Sequence, residues 1–579
     1  MIPRAPGRRN GSWITACVVG LALAACQRSV ETTELPDDAC ALAHTPIPEV
    51  QGSGERSPLV GREVTIRGTI THLDADGLYL EQPDADDSPK TSNAIYVMLD
   101  PGSASPGQWL VASGRVAELG EDDDTLTALV EVSDHALCDY RSALPATPAE
   151  LPMGPEQRES LEAMRLRLGQ TLVISNPRNI GTGEVLLSLD TILATPTEVA
   201  RPGADARAQA DWNRRHSINA LLHSSDRSPA PAGTQVFSVQ GVLGHDGQAP
   251  RMLVEEAAHL RAPPRYRITP AEPGDVRVVA LNLHNFFNGD GRGQGFPTER
   301  GAETHAQFQR QRERIAAQIA MLAPDVLAVM ELENDGFGPF SAAADLVADL
   351  EAATGERWLP ALPWDGPIGD DQITVGLFYQ PERFEPLGPA EILTGPDFDD
   401  LNRHPLAQPF RDRSSGEHFV VVVNHLKSKG SCPERGRNSN LSDGQGCWNA
   451  TRTSAAKAMA RWARALGDAA GEGRVLIVGD MNAYRMEDPI TTIIEAGLRD
   501  LTAPSGPHPN FSYIYWGAAG TLDYAFASPG LVPHVRAARI LNINSVWPPG
   551  QRLPEPWLGV SDHDPVLVDL RFRSASTRD

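Results

Sequence analysis

Five apolar runs in the C-terminal half of the chain end in, or open from, residues that carry chemistry. VVALNLHN contains Asn282, PDVLAVMELEN contains Glu331, VVVNHLKSK contains Asn424 and His425, VLIVGDMN contains Asp480 and Asn482, and GVSDHDPVLVDL contains Asp562 and His563. A continuous apolar run with polar ends reads as a strand buried on both faces. Because side chains alternate along a strand, Asp480 and Asn482 are expected on one side, whereas Asn424 and His425 point to opposite sides. Lys427 and Lys429 share the parity of His425. Helical periodicity fills the gaps: Ile315, Ile319 and Leu322 fall at i, i+4 and i+7, just before Pro324 and the strand beginning at Val326. Farther on, Ala455, Met459, Trp462 and Leu466 share one helix face, Lys457, Arg461 and Arg464 the other, and Gly467 is the expected stop. Strands alternating with helices predict an α/β domain over 275–573.

The N-terminal half has a different rhythm. From 60 to 137 the runs VTIRGTI, GLYLEQ, AIYVML, QWLVASGRV and TLTALVEV are short and broken by Gly, Asp, Ser and Pro, which predicts a small barrel within 51–140. A second β-rich domain is expected over 150–262, with MRLRLGQTLVIS, GEVLLSL and TQVFSVQGVLG as strands, a long polar insert near 200–232, and no catalytic constellation. The Pro-rich residues 263–274 read as a linker.

At the start, Arg4, Arg8 and Arg9 precede an apolar stretch from Trp13 to Ala25, 13 residues long. That is shorter than the roughly 20 needed to span a bilayer, so 1–25 reads as a signal peptide. Leu23-Ala24-Ala25-Cys26 looks like a bacterial lipobox, which implies cleavage before Cys26 and acylation of its thiol. Residues 26–50 then form a tether. The expected location is the bacterial cell envelope, lipid-anchored and facing periplasm or exterior, with plain secretion as the alternative. Without Cys17 and Cys26, four cysteines remain, and export favours disulfides. Proximity in the chain favours Cys40–Cys138 and Cys432–Cys447 over the other two connectivities, without proving them. Closing Cys432 to Cys447 would restrain a Gly-, Ser- and Asn-rich loop by about 3 kcal/mol in the chain-entropy picture.

Charge narrows the partners. The chain carries a net charge of −24, so the body as a whole cannot coat nucleic acid electrostatically. Yet residues 427–464 hold eight Lys/Arg against Glu434 and Asp443, a local surplus of +6. A basic rim of this kind can steer a phosphodiester chain, and Lys427, Lys429 and Arg452 are the expected substrate contacts. In the barrel segment only Tyr79, Tyr96 and Trp109 lie among many acids, which favours a spacer or docking role over strand binding.

Cleaving a phosphodiester needs charge neutralised on the phosphoryl oxygens, a water activated, and the departing oxygen protonated. Glu331 and Asp562 are hard oxygen ligands suited to Mg²⁺. Asp480 is the candidate base, with Asn482 holding the water or a phosphate oxygen; an Asx-type turn is the structural alternative for this pair. His563 can donate to a phosphoryl oxygen, and Asp523, in GTLDYAFAS, can fix its tautomer. His425 is the candidate general acid, with Asp371 as a carboxylate that could offset the neighbouring cations.

The ordered series Asn282, Glu331, His425, Asp480, Asn482, Asp523, Asp562 and His563 resembles the endonuclease/exonuclease/phosphatase superfamily, the deoxyribonuclease I-like fold. The segments LNLHNFFN, MELEN, NHLKSKGSC, GCWNATR, VGDMNAYRMEDP, GTLDYAFAS and SDHDPV resemble extracellular nucleases of bacteria, and the upstream barrel resembles their OB-like domain. The resemblance implies a four-layer α/β (α+β) sandwich preceded by two small all-β domains, and hydrolysis with Mg²⁺, or Mn²⁺ or Ca²⁺ in its place. It implies phosphate contacts from Asn282 and Asn482, metal ligation by Glu331 and Asp562, and essential histidines at 425 and 563. Two departures bear on substrate choice: LNINSVWPPG, Leu541 to Gly550, where an acidic, His-containing stretch is usual, and Trp516 at the end of FSYIYWG. The leading expectation is an exported nuclease of low sequence preference acting on DNA. A phosphodiesterase or phosphatase for a lipid headgroup or small phosphoester is the alternative, and a catalytically silent binding lipoprotein is a third.

Overall fold

The computed structural model describes residues 40, 43–84, 86, 88–121, 124–141, 143–264, 268–399, 401–504 and 510–572. The signal-like segment 1–25 and Cys26 lie outside them. Among the described residues no helix is long and apolar enough to cross a membrane. The chain divides into two compact units: residues 1–169 with 239–256, and residues 170–238 with 257–579. The β-rich stretch 150–262 is thus shared between the units.

The first unit contains a closed five-stranded barrel of Glu63–Leu73, Leu78–Glu81, Ala94–Val97, Gln108–Glu121 and Asp124–Arg141. The third strand pairs in parallel with the fifth, and the fourth closes back on the first. Its interior is aliphatic, including Ile66, Ile70, Leu80, Ile95, Leu110 and Leu129. The Cys40–Cys138 disulfide is formed. Tyr79 and Tyr96 are buried with ring centroids 4.9 Å apart, so neither offers a face to a nucleotide.

The second unit is built on two packed sheets. One runs in the order Leu359–Pro360, Ile373–Tyr379, Val326–Glu333, Val276–Phe286, Val566–Leu570, Val535–Ile540. The other runs Phe384–Pro386, Leu406–Asp412, His418–His425, Val475–Asp480, Asp523–Ala527, Arg499–Asp500. Strand alternation makes four layers: Val278 and Ala280 face the inter-sheet core with Leu476 and Val478. Their neighbours Val279 and Leu281 pack under helices His305–Leu322 and Ala342–Thr354. Likewise Val475 and Ile477 meet helices Asn449–Ala469 and Asp488–Glu495. This is the four-layer deoxyribonuclease I-like architecture. The helix beginning at Asn449 does not stop at Gly467 but continues to Ala469; the glycine serves close packing instead, since it is buried and a Cβ there would lie 2.7 Å from a Val475 methyl.

Topology gathers the polar ends. Val276–Phe286 and Val326–Glu333 are parallel, as are His418–His425 and Val475–Asp480, so Asn282, Glu331, His425 and Asp480 all lie toward carboxyl ends. Val566–Leu570 and Asp523–Ala527 run antiparallel to these pairs, so residues 562–563 and Asp523 enter at the same end.

Candidate active site

The strand ends leave regular geometry where the chemistry sits. His284, Asn285, Glu331 and Asn482 all have positive φ, at 55°, 56°, 61° and 47°. Register shifts between Asn282 and Phe286, and between Val329 and Leu332, re-aim the side chains there. Consequently Met330 faces the inter-sheet core while Leu332 has moved to the helix side, and Glu331 is released from simple alternation. Non-glycine residues in this conformation are strained and gather at functional sites.

Asp480, Asp523 and His563 form the tight centre: each is buried, and one ligand atom from each lies within 4.8 Å of the other two. The Nδ1 of His563 lies 2.7 Å from Asp523 Oδ2, while Nε2 lies 3.9 Å from Asp480 Oδ2. Burial opposes charge on this imidazole, but Asp523 and Asp480 outweigh it and hold the pKa well above the usual histidine value. For Asp480, burial raises the pKa to about 7, opposed by His563 and reinforced by the charges of Asp523 and Glu331. Tyr513 covers the His563 ring at 4.7 Å.

His425 Nε2 is 3.5 Å from Asp480 Oδ2. Burial first, then Arg403, His563, Arg300 and Lys427, hold it well below the usual histidine value, so it is neutral. The general-acid role expected of His425 needs an imidazolium, and of the two rings beside Asp480 it is His563 that carries the extra proton. Asp371 pairs with two of the cations acting on His425, Arg300 at 3.5 Å and Arg403 at 3.2 Å, but does not restore the proton of His425.

Both asparagines support carboxylates. Asn282 Nδ2 donates to Glu331 Oε1 at 3.2 Å, and the Asn285 N–H donates to Glu331 Oε2 at 2.9 Å. The Asn482 N–H donates to Asp480 Oδ1 at 2.7 Å in an Asx-type turn, and its Nδ2 donates to Leu426 O and Asp480 Oδ2 at 3.0 and 3.2 Å. The side chain expected to hold a water is thus occupied in fixing the carboxylate beside it.

Glu331 and Asp562 stand apart from the tight centre, with His284 associated with both. His284 Nδ1 is 3.0 Å from Asp562 Oδ1, and its pKa rises to about 9 through Asp562, with Glu331 adding to the effect. Burial opposes ionisation of Asp562, but His284 outweighs it and keeps the carboxyl ionised. Two carboxylates arranged around an imidazolium already accommodate a positive charge, and their oxygens suit a hard divalent cation. Within the Asp480, Asp523 and His563 group, Asp523 Oδ1, buried and without a hydrogen-bond partner, is a further oxygen donor. The donor set fits the Mg²⁺ class.

The basic stretch is corrected more sharply. Arg452 is fully buried, and its guanidinium donates to Lys427 O, Cys447 O and Gln445 O at 3.2, 2.8 and 3.1 Å. Lys429 pairs with buried Glu487 and donates to Gln445 O. Both hold the loop closed by the Cys432–Cys447 disulfide: Arg452 presents no charge to a substrate, and Lys429, partly exposed, has its charge paired with Glu487. Lys427 is the cation of the three that acts on His425; its pKa falls to about 8, from burial first and then Arg403 and Arg452.

His284, Arg403 and Tyr513 were not anticipated. His284 lies within the quoted LNLHN run, but no periodicity aims a residue at positive φ. Arg403, in LNRHP, and Tyr513 sit in segments whose approach to the site depends on tertiary packing. LNINS has a structural role: Asp564 Oδ1 accepts from the Ile543 and Asn544 N–H groups at 2.9 and 2.7 Å, and Asn544 Nδ2 donates to His563 O at 2.8 Å.

The Endonuclease/Exonuclease/phosphatase family profile matches residues 279–563. Among solved structures, the human Nocturnin catalytic domain with bound sulfate is 17% identical, over 52% of this chain and 97% of that one, with a TM-score of 0.35. An endonuclease/exonuclease/phosphatase from Bacteroides vulgatus is 18% identical over 52% and 99%, TM-score 0.34. The Bacteroides thetaiotaomicron mannosyl-6-phosphatase Bt3783 is 18% identical over 51% and 100%, TM-score 0.34. A search of curated proteins returned no match. Residues 279–563, with the strand-end carboxylates and histidines they bring together, belong to the endonuclease/exonuclease/phosphatase family, whose members hydrolyse phosphoester bonds.

Proposed function

We propose that this protein is an exported, divalent-metal-dependent nuclease that hydrolyses phosphodiester bonds of nucleic acid, DNA first, with little sequence preference. The observation that carries the reading is the Asp480, Asp523 and His563 cluster, with Glu331 acting on Asp480 through its charge. Glu331 and Asp562 would hold the cation, Mg²⁺ or Mn²⁺, which when bound supplies Lewis-acid neutralisation of phosphoryl charge. Asp480, poised near neutrality, takes the proton of the attacking water. His563, kept protonated by Asp523, donates from Nε2 to the departing oxygen. Neutral His425, beside Asp480, and the Arg403 guanidinium, whose charge acts on His425, stabilise charge on the phosphate. Phosphate contacts position without specifying, which accounts for low sequence preference. Cys26 acylation and envelope anchoring belong to the same proposal, and a change in mature mass after expression in a lipoprotein-processing host tests them.

The functional test incubates purified mature protein with plasmid DNA, RNA and bis-p-nitrophenyl phosphate, with and without chelator. The expected result is chelator-sensitive cleavage of DNA. Turnover of the small ester with both polymers intact would instead support a small-phosphoester enzyme.

A further inference from the structure

Residues 170–238, which showed no chemistry in the sequence, build one wall beside the site. Leu193–Ala194 pairs in parallel with Ala518–Gly520, and the Thr195 N–H donates to Ala519 O at 2.7 Å. Ser175 Oγ donates to Gly517 O at 2.6 Å. Gly517 has φ 84°, and a Cβ there would sit 2.7 Å from a Leu186 methyl, so only glycine permits this approach. Glu198, buried, accepts from Arg485 Nε at 3.0 Å and from the Thr521 N–H at 2.9 Å. The hairpin Tyr513–Tyr515/Ala518–Gly520 is therefore tied to these residues along its returning strand, up to Gly517 in the turn.

Its tip is left in solvent. Trp516 is 74% exposed and Tyr515 57%, with centroids 6.2 Å apart in an edge-to-face pair. Trp516 has φ 48°, an unfavourable conformation for a bulky residue. Tyr513 and Tyr515 lie on one face of the same strand, and Tyr513 covers His563. Two strand rises place Tyr515 about 7 Å beyond that contact, close to the spacing of successive nucleotides in an extended strand. Arg178 is exposed, two residues beyond Asn176, whose Cβ lies 3.0 Å from where a Cβ on Gly517 would sit.

We propose that Tyr515 and Trp516 form a base-stacking subsite for the nucleotide flanking the reacting phosphate, with Arg178 contacting the adjoining phosphate. The inference rests on the nucleic-acid reading above. A chain of net charge −24 gains little polymer affinity from its overall field, whereas aromatic stacking is sequence-tolerant and does not depend on that field.

The test measures KM on a single-stranded oligonucleotide and on a series carrying one abasic residue stepped along from the cleaved bond. Trp516→Ala is expected to raise KM about five- to hundredfold on the intact strand, with Trp516→Phe recovering most of the loss. When the abasic residue occupies the stacked position, that penalty should vanish. Arg178→Gln should reduce the salt dependence of KM by about one phosphate contact. Unchanged KM in both Trp516→Ala and Tyr515→Ala overturns the subsite while leaving the nuclease reading intact, as does a penalty indifferent to every abasic position. Wild-type protein that hydrolyses bis-p-nitrophenyl phosphate but no oligonucleotide overturns both.

Discussion

Two charged regions of the catalytic unit look alike as sequence and behave oppositely as structure. Residues 427–464 carry a surplus of cations, yet Arg452 is spent on three carbonyls and Lys429 on Glu487. At the strand ends, Asp480 Oδ2 instead has His425 Nε2 at 3.5 Å and His563 Nε2 at 3.9 Å, with Asp523 holding the other side of the His563 ring and the charge of Glu331 acting on Asp480. A charge whose partners are supplied by the protein stabilises a loop. Titratable groups that instead face one another, as His425 and His563 do across Asp480, are available for chemistry.

The comparison can be broken experimentally. Asp480→Asn should lower kcat by about a thousandfold or more, the scale of a lost base, with an unchanged thermal midpoint; retained turnover would remove Asp480 from the chemistry. Arg452→Met should act on stability instead, costing about 3 kcal/mol through unsatisfied buried carbonyls, measured by urea unfolding, with kcat of the folded fraction within a few-fold. A large kcat loss without unfolding would return Arg452 to the substrate. Cys432→Ser with Cys447→Ser should likewise cost about 3 kcal/mol, and identical denaturation curves would deny the staple any role.

The pH response sharpens the same contrast. Asp480 must be unprotonated to accept a proton, and burial lifts its pKa to about 7. Activity should therefore fall about tenfold for each pH unit below that value. A flat profile from pH 5 to 7 in steady-state assays argues against this base. The smallest effect belongs to Thr197, whose Oγ1 donates to Glu487 Oε1 at 2.8 Å. Thr197→Val should cost about 1 kcal/mol of stability, and a larger change in KM than in stability would mean that the 193–199 segment also tunes substrate fit.

The apolar runs at 276–286, 326–333, 418–425, 475–480 and 566–570 determined the α/β framework, because a strand buried on both faces leaves an unmistakable local signature. Their polar ends identified Asp480 and His563, GTLDYAFAS added Asp523, and strand direction brings those ends together. The orientations of Glu331 and Asn482 depended on bulges and positive φ, which periodicity does not encode. Whether Arg452, Lys429 or His425 would carry an available charge was decided only in three dimensions. Burial and partner geometry set the state of an ionisable group, and those partners come from segments hundreds of residues apart, such as Thr197 against Glu487.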